Sequence, residues 1–526
     1  MIPFGAAAVV VLPILWVSID FVHRRRVLIA PDMFQTVLAT LAAAQGQQYV
    51  GAWSRIGVNH PGPAWFYWAA PFSILFGHHP AAVVLAAGAL AATGATVAIL
   101  VVGRASGGVA SMVAAAVLLV GLVQLNLIGV VAPWNPTIVI FPVLAGLVCT
   151  ADTWSRGSRA SAVGAVLFGG LVAQSHFGTV GLGMAIVMGG LLAAVFGGRR
   201  SGRPVTALFA LLLALCVVVP WVPVAADQAF GEGNARSVAT YAIAGTINGR
   251  PAHYKQGGSQ RLGPVESVGH LASVTFLVQP DVALWAGIDV PAGRNHAPSR
   301  QSWVVSLLVL GLAAALARPT QRWPEGGRRH SAWLCRAGLV GFACQLVATL
   351  QIHDEFRPYL VVGSAGVGLT LWLGVTLGGL GWVRARVTAP LARRIPEVSM
   401  GVFMLVAAIA LPRLDWRIEG ASLPPRAPST FRSLLAETDG APVTLRTNAA
   451  RLLDTYYTFT WELEQRDIPV SVRGPWSYRF SDRQRRLPFR GREVLLRDPA
   501  APSRRDCTDV GRYRSVVICV RDQETP

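Results

Sequence analysis

AAVVLAAGALAATGATVAILVV, residues Ala81–Val102, runs for 22 positions without a charged side chain. At 1.5 Å per helical residue, about 20 apolar residues cross the ~30 Å hydrocarbon layer of a bilayer. The stretch from Gly107 to Val131 is again long and uncharged. Reading outward in both directions, apolar runs recur near 3–22, 80–103, 107–131, 136–153, 160–175, 178–197, 205–225, 301–317, 332–352, 359–381 and 396–412. Eleven spans are therefore expected, with 264–280 as a further embedded helix and Gln174-Ser175-His176-Phe177-Gly178 as a tight reversal between two short spans. The composition agrees: 53% of the 526 residues are hydrophobic and 14% charged, which is that of an all-α polytopic membrane protein.

The net charge of +19 comes from arginines clustered beside the apolar runs. There they orient helices and meet anionic headgroups, so nucleic acid is not the expected partner. Arg104, Arg156 and Arg159, Arg199 to Arg203, Arg318 to Arg329 and Arg384 to Arg394 fall on one side when the spans alternate. By the positive-inside rule that side is cytoplasmic. The N-terminus is then inside, and loops 23–79 and 226–300 and the tail 413–526 are outside. Arg24-Arg25-Arg26 breaks the rule, and an external basic cluster there can grip a phosphate. No cleavable signal peptide is evident in Met1 to Val22, which reads as the first span.

After Pro412 the composition changes. Helix signals at Ser429 to Glu437 and Ala449 to Arg466 alternate with strands at Pro442 to Arg446, Pro469 to Val472, Glu493 to Arg497 and Ser515 to Val520. Residues 413–526 are expected to form a small extracytoplasmic α/β domain on a transmembrane domain of residues 1–412. Cys507 and Cys519 lie in this tail and can close a disulfide, which requires an oxidising compartment. The other four cysteines fall in or beside apolar spans and read as small buried hydrophobes.

In the first external loop, Asp32 stands just beyond the first span, where a carboxylate is half desolvated yet open to water. It reads equally as a general base and as the N-cap of a helix over Met33 to Ala44. His60-Pro61-Gly62-Pro63 follows 28 residues later and leads into Trp65, Phe66, Tyr67 and Trp68. That is a rigid turn before an interfacial aromatic helix, with His60 either a hydrogen-bonded turn residue or a catalytic one.

Together these residues resemble the GT-C superfamily of membrane glycosyltransferases, which take sugar from a polyprenyl-phosphate carrier at the outer face. In the protein O-mannosyltransferase branch a first-loop acid is followed at similar distance by His-Pro-Pro-Leu, and Asp32 and His60-Pro61 occupy matching places. Leu75 to Gly77, the break at Gln174 to Gly178 and Pro220-Trp221 before a large external loop resemble the aminoarabinose transferase branch. The likeness runs over residues 1–412. Two departures stand out: Met33 follows Asp32 where the family often has an Asp-Glu pair, and Trp134-Asn135-Pro136 replaces an acidic residue at the outer end of the fourth span.

The resemblance implies catalytic Asp32 and His60. It implies donor-phosphate contacts from Arg357, Lys255, Arg24 and Arg25, and an acceptor cavity near Asn135, His176 and Arg55. Each has a plainer reading. Arg357 can simply neutralise Asp354 and Glu355, Lys255 can be a solvated loop lysine, and His176 a satisfied intramembrane histidine. The histidines show no zinc-binding spacing, so no metal is called for, although one is left open. The expected activity is inverting transfer of a sugar from polyprenyl phosphate to an envelope glycan, lipid or protein, with arabinofuranose and mannose in view from the arginine-rich coding bias. The alternative is a non-catalytic protein on the same scaffold, such as a lipid-linked saccharide transporter or an envelope-assembly factor.

Overall fold

The computed structural model describes residues 2–24, 26–27, 31–54, 57–200, 202, 205–244, 246–247, 250–251, 263–277, 300–318, 327–352, 358–387, 389–414, 421–422, 434, 436, 441–447, 459–461, 463–464, 466, 468–473, 492–497, 508–513 and 516–521. In chain order the helices are α1 (Ile2–His23), α2 (Pro31–Ala44), α3 (Ala64–Leu75), α4 (Ala81–Ser106), α5 (Gly108–Leu125), α6 (Leu127–Val131), α7 (Ile140–Arg156), α8 (Arg159–Ser175), α9 (Val180–Arg200), α10 (Ala207–Val218), α11 (Val222–Phe230), α12 (Asn234–Ala244), α13 (Pro264–Thr275), α14 (Arg300–Ala317), α15 (Gly327–Leu350), α16 (Ser364–Arg384) and α17 (Ala389–Ala410). Each of the eleven apolar runs is helical. By length and hydropathy, eight helical segments among the described residues are long and apolar enough to cross a bilayer. The chain is a multi-pass helical membrane protein.

Local chemistry sets the helix ends. The run 107–131 is expected as one span but divides into α5 and α6 at Asn126, whose φ of 56° with ψ of 148° cannot continue a helix. The run 205–225 breaks likewise, α10 giving way to a 3-10 turn at Val219–Trp221 and then α11, where Pro220 removes a backbone donor. Ser158 caps α8 by accepting from the Ser161 N–H at 3.3 Å, while α7 ends at Gly157 with φ 65°. At this end of the bundle the fully buried Asp152 of α7 accepts from Arg156 Nε and Ser161 Oγ, tying α7 to α8.

Helices α8 and α9 pack through small residues. A Cβ at Gly183 would lie 2.7 Å from both the Ala173 Cα and the Gly169 carbonyl oxygen, whereas Gly181 has nothing within 4 Å. Close backbone approach of this kind is how helices associate in lipid. Gly183→Ile is therefore expected to lower the thermal midpoint in detergent by driving the pair apart, with Gly181→Ile as the near-neutral comparison.

The short strands are β1 (Arg26–Val27), β2 (Thr246–Ile247), β3 (Arg250–Pro251) and β4 (Ala421–Ser422); β1 pairs antiparallel with β4, and β2 with β3. A five-stranded C-terminal sheet follows, built from β5 (Val443–Thr447), β6 (Val470–Arg473), β7 (Arg492–Arg497), β8 (Thr508–Tyr513) and β9 (Val516–Arg521) in the order β6-β5-β7-β9-β8. Strand β5 runs parallel to both neighbours, and β9 runs antiparallel to both β7 and β8. Val443 and Leu445, Val470 and Val472, Val494 and Leu496, and Ile518 and Val520 alternate into one buried face, as period-two strands must. Four of these strands lie where the sequence places them. Strand β8 was not expected. The helix signals at 429–437 and 449–466 fall mostly outside the described residues. Cys519 is disulfide-bonded and Cys149, Cys216, Cys335 and Cys344 are free, while Cys507 lies outside the described residues.

Candidate functional site

Three segments distant in sequence meet at one end of the bundle: the first loop around Asn59-His60, the reversal at Gln174 to Thr179, and the turn from Asp227 to Asn234. The His60 main chain joins Gly51 and Ala52 in a ladder, donating to the Ala52 carbonyl at 2.7 Å and accepting from Gly51 N–H at 3.1 Å. Its ring reaches the other way, and Nδ1 accepts from the Phe177 N–H at 2.9 Å. That bond satisfies a donor left free where the chain breaks between α8 and α9. Gly62 N–H donates to the Gln174 carbonyl, and Gln174 Nε2 to the Pro220 carbonyl. Two loops and a helix break are thereby one unit.

Asn234, at the start of α12, joins the second loop to the first. Its Oδ1 accepts from Asn59 N–H at 3.0 Å, and its Nδ2 donates to the carbonyls of Asn59 and His60 at 3.2 Å each. Its own N–H donates to Asp227 Oδ2 at 2.8 Å. Asn59, His60, Asp227 and Asn234 are all buried. An asparagine at a loop-to-helix junction reads in sequence as an ordinary cap, so nothing singled it out.

The structure brings His60 and His176 together, with ring centroids 5.1 Å apart. Burial lowers the His60 pKa well below its ordinary value, the neighbouring His176 adding to the effect, and burial lowers His176 to about 3. Both rings are neutral in the folded protein at neutral pH. Below pH 6.5 the unfolded chain takes up protons that the folded one refuses, so stability falls as pH falls. For His176 the loss reaches about 2 kcal/mol at pH 5, and His60 adds to it in the same direction. The thermal midpoint is expected to drop between pH 7.5 and 5, and His176→Phe to remove about half of that slope.

The other predicted residues divide as follows. Asn135 is buried in the turn before α7, and the adjacent Trp134 packs on Tyr359 with centroids 5.1 Å apart. Arg24 is exposed and its Nε lies 2.7 Å from Asp20 Oδ1, so the guanidinium has a carboxylate partner on its own helix. Asp32 is the second residue of α2, after Pro31, so it is not the N-cap; it stands in the first turn, where the helix dipole favours negative charge. The Asp32 side chain and residues Arg25, Arg55, Lys255 and Arg357 lie outside the described structure. The described residues hold no group of three potential metal ligands.

An apolar cavity of about 350 Å³ lies between α5, α13, α16 and α17. Val117, Phe276, Leu369, Trp372 and Val406 line it, and Gln124 is among its few polar groups. Leu369 and Trp372 stand within about two turns of the start of α16, which follows the turn carrying Tyr359. At its own start α16 meets the reversal, Gly363 approaching Thr179, so one helix runs from the polar junction to the apolar groove.

The fold defines a multi-pass membrane protein with a buried polar junction where its loops meet the break between α8 and α9. Over 98% of its length the chain is similar to ArnT from Cupriavidus metallidurans bound to undecaprenyl phosphate, at 14% identity and a TM-score of 0.49, covering 97% of that chain. It is similar to the apo state of the same protein at 14% identity and a TM-score of 0.48, with the same coverage. No protein-family model matches the chain, and no curated protein does.

Proposed function

We propose that the protein is an inverting glycosyltransferase that moves a sugar from a polyprenyl-phosphate carrier to an envelope acceptor on the extracytoplasmic side. The observation that carries this reading is that one helix, α16, lines the apolar groove with Leu369 and Trp372 and meets the polar junction at its start, where Gly363 approaches Thr179. A ligand with a long apolar tail and a charged head needs both surfaces at once. The arginine-rich loops at the opposite end support a cytoplasmic N-terminus and an extracytoplasmic C-terminal tail.

In this reading Asp32 removes the proton of the acceptor hydroxyl as its oxygen attacks the anomeric carbon. The bond from that carbon to the phosphate oxygen breaks on the opposite face, and configuration inverts. Arg357, with Lys255, Arg24 and Arg25, holds the departing polyprenyl phosphate as negative charge collects on it. Asn135 and Arg55 face the acceptor. His60 contributes by fixing the reversal, with His176 beside it.

Purified protein incubated with a panel of polyprenyl-phosphate sugars is expected to transfer or hydrolyse one of them. Failure on all, with flipping of a lipid-linked saccharide in vesicles, would replace the enzyme with a transporter. Within the enzyme reading, Val117→Trp narrows the groove. It is expected to raise the KM of a long-chain donor about tenfold, roughly 1.4 kcal/mol, and to leave a short-chain donor unaffected.

A further inference from the structure

Helix α2 is unusual for an element in an external loop, because it is buried around its whole circumference. Met33 and every residue from Gln35 to Ala43 are buried. The two sides face different partners. Met33, Ala39 and Ala43 belong to the apolar core of the helical bundle, whereas Leu38 and Leu41 belong to the core of the C-terminal sheet, with Leu434, Val443, Phe459 and Val494. At 100° per residue Leu38 and Leu41 share one face, and Ala39, Ala43 and Met33 spread over the opposite one. A second tether lies just upstream, where Arg26–Val27 pair antiparallel with Ala421–Ser422. Asp32 stands between the two tethers, and both originate beyond residue 413.

A 14-residue helix is marginal by itself in water, so α2 owes its order to these contacts. Without the sheet, the Leu38 and Leu41 face would meet solvent and the helix would fray from the end that carries Asp32. We propose that the C-terminal sheet is a positioning element for the first-loop carboxylate, with Leu38 and Leu41 as the positioning residues through which it acts. This rests on the transferase reading for its chemistry but not for its structure.

The test uses the full-length protein in detergent or nanodiscs, comparing wild type with Leu38→Ala/Leu41→Ala, Leu38→Met and Ser422→Pro. In the double variant, amide exchange over residues 33–44 is expected to rise at least tenfold. The kcat for sugar transfer should fall about tenfold with an unchanged KM for the polyprenyl-phosphate donor, and Leu38→Met should behave as wild type. Ser422→Pro breaks the upstream tether without entering the sheet core, so it gives the same direction of change should the double variant fail to fold. Exchange that stays at the wild-type level in both variants overturns the proposal, as does raised exchange with unaltered kcat. If the wild type transfers no sugar, the transferase reading fails, and the exchange data still decide whether the sheet holds α2.

Discussion

Asp32→Asn is expected to lower sugar transfer by about 10²–10⁴-fold, the range that a positioned general base contributes. The substitution keeps the size of the side chain and leaves it in the first turn of α2, behind Pro31. It removes the charge that favours this end of the helix, at a cost of about 0.3–1 kcal/mol in stability. A protein that keeps its thermal midpoint within a few degrees, binds the donor and no longer transfers would match the expectation. Full transfer by the Asn variant would remove Asp32 from the chemistry. Donor binding is to be measured separately, since an interaction with the carrier phosphate belongs to other groups and should survive.

The largest structural effect is expected at Asn234. Truncation to Ala takes this partner from the buried Asn59 N–H and Asn59 carbonyl, and leaves the His60 carbonyl with the Gly51 N–H alone. With about 1–3 kcal/mol for each buried group left unsatisfied, a loss of roughly 3 kcal/mol or more is expected. Asn234→Asp tests the direction of the bonds. It keeps an acceptor for Asn59 N–H, turns an oxygen toward two carbonyls and sets a charge beside the Asp227 carboxylate, so it should be at least as damaging as Ala. Thermal unfolding in detergent reads both, and amide exchange should rise over 57–60 and 176–180, on the far side of the junction. Equal stability of the two variants and wild type would deprive Asn234 of its joining role.

The helical bundle was legible because lipid offers the backbone no hydrogen-bonding partner, so each long apolar run has one outcome. The same logic stops at interruptions. Asn126 divides a run that reads as a single span, since a change of backbone direction at one residue leaves no trace in hydropathy. The strands of the C-terminal sheet that alternate Val, Leu and Ile were legible, whereas Thr-Asp-Val-Gly-Arg-Tyr of β8 is an edge strand without that alternation and exists by pairing with β9. In the site, His60 and His176 were both visible as polar residues in special places. That they meet was not visible, because 116 positions separate them and local pattern carries no information about such contacts.

By itself the sequence determined that this chain spans a membrane repeatedly, where its helices run and that a sheet-bearing tail follows, since these depend on local apolar length and on strand period. Tertiary structure alone decided what those elements hold. It turned His60 toward the Phe177 N–H, made Asn234 the joint between two loops and enclosed α2 between bundle and sheet. Each of these is a pairing of buried groups far apart in the chain, and the free energy that selects it exists only once both partners have left water.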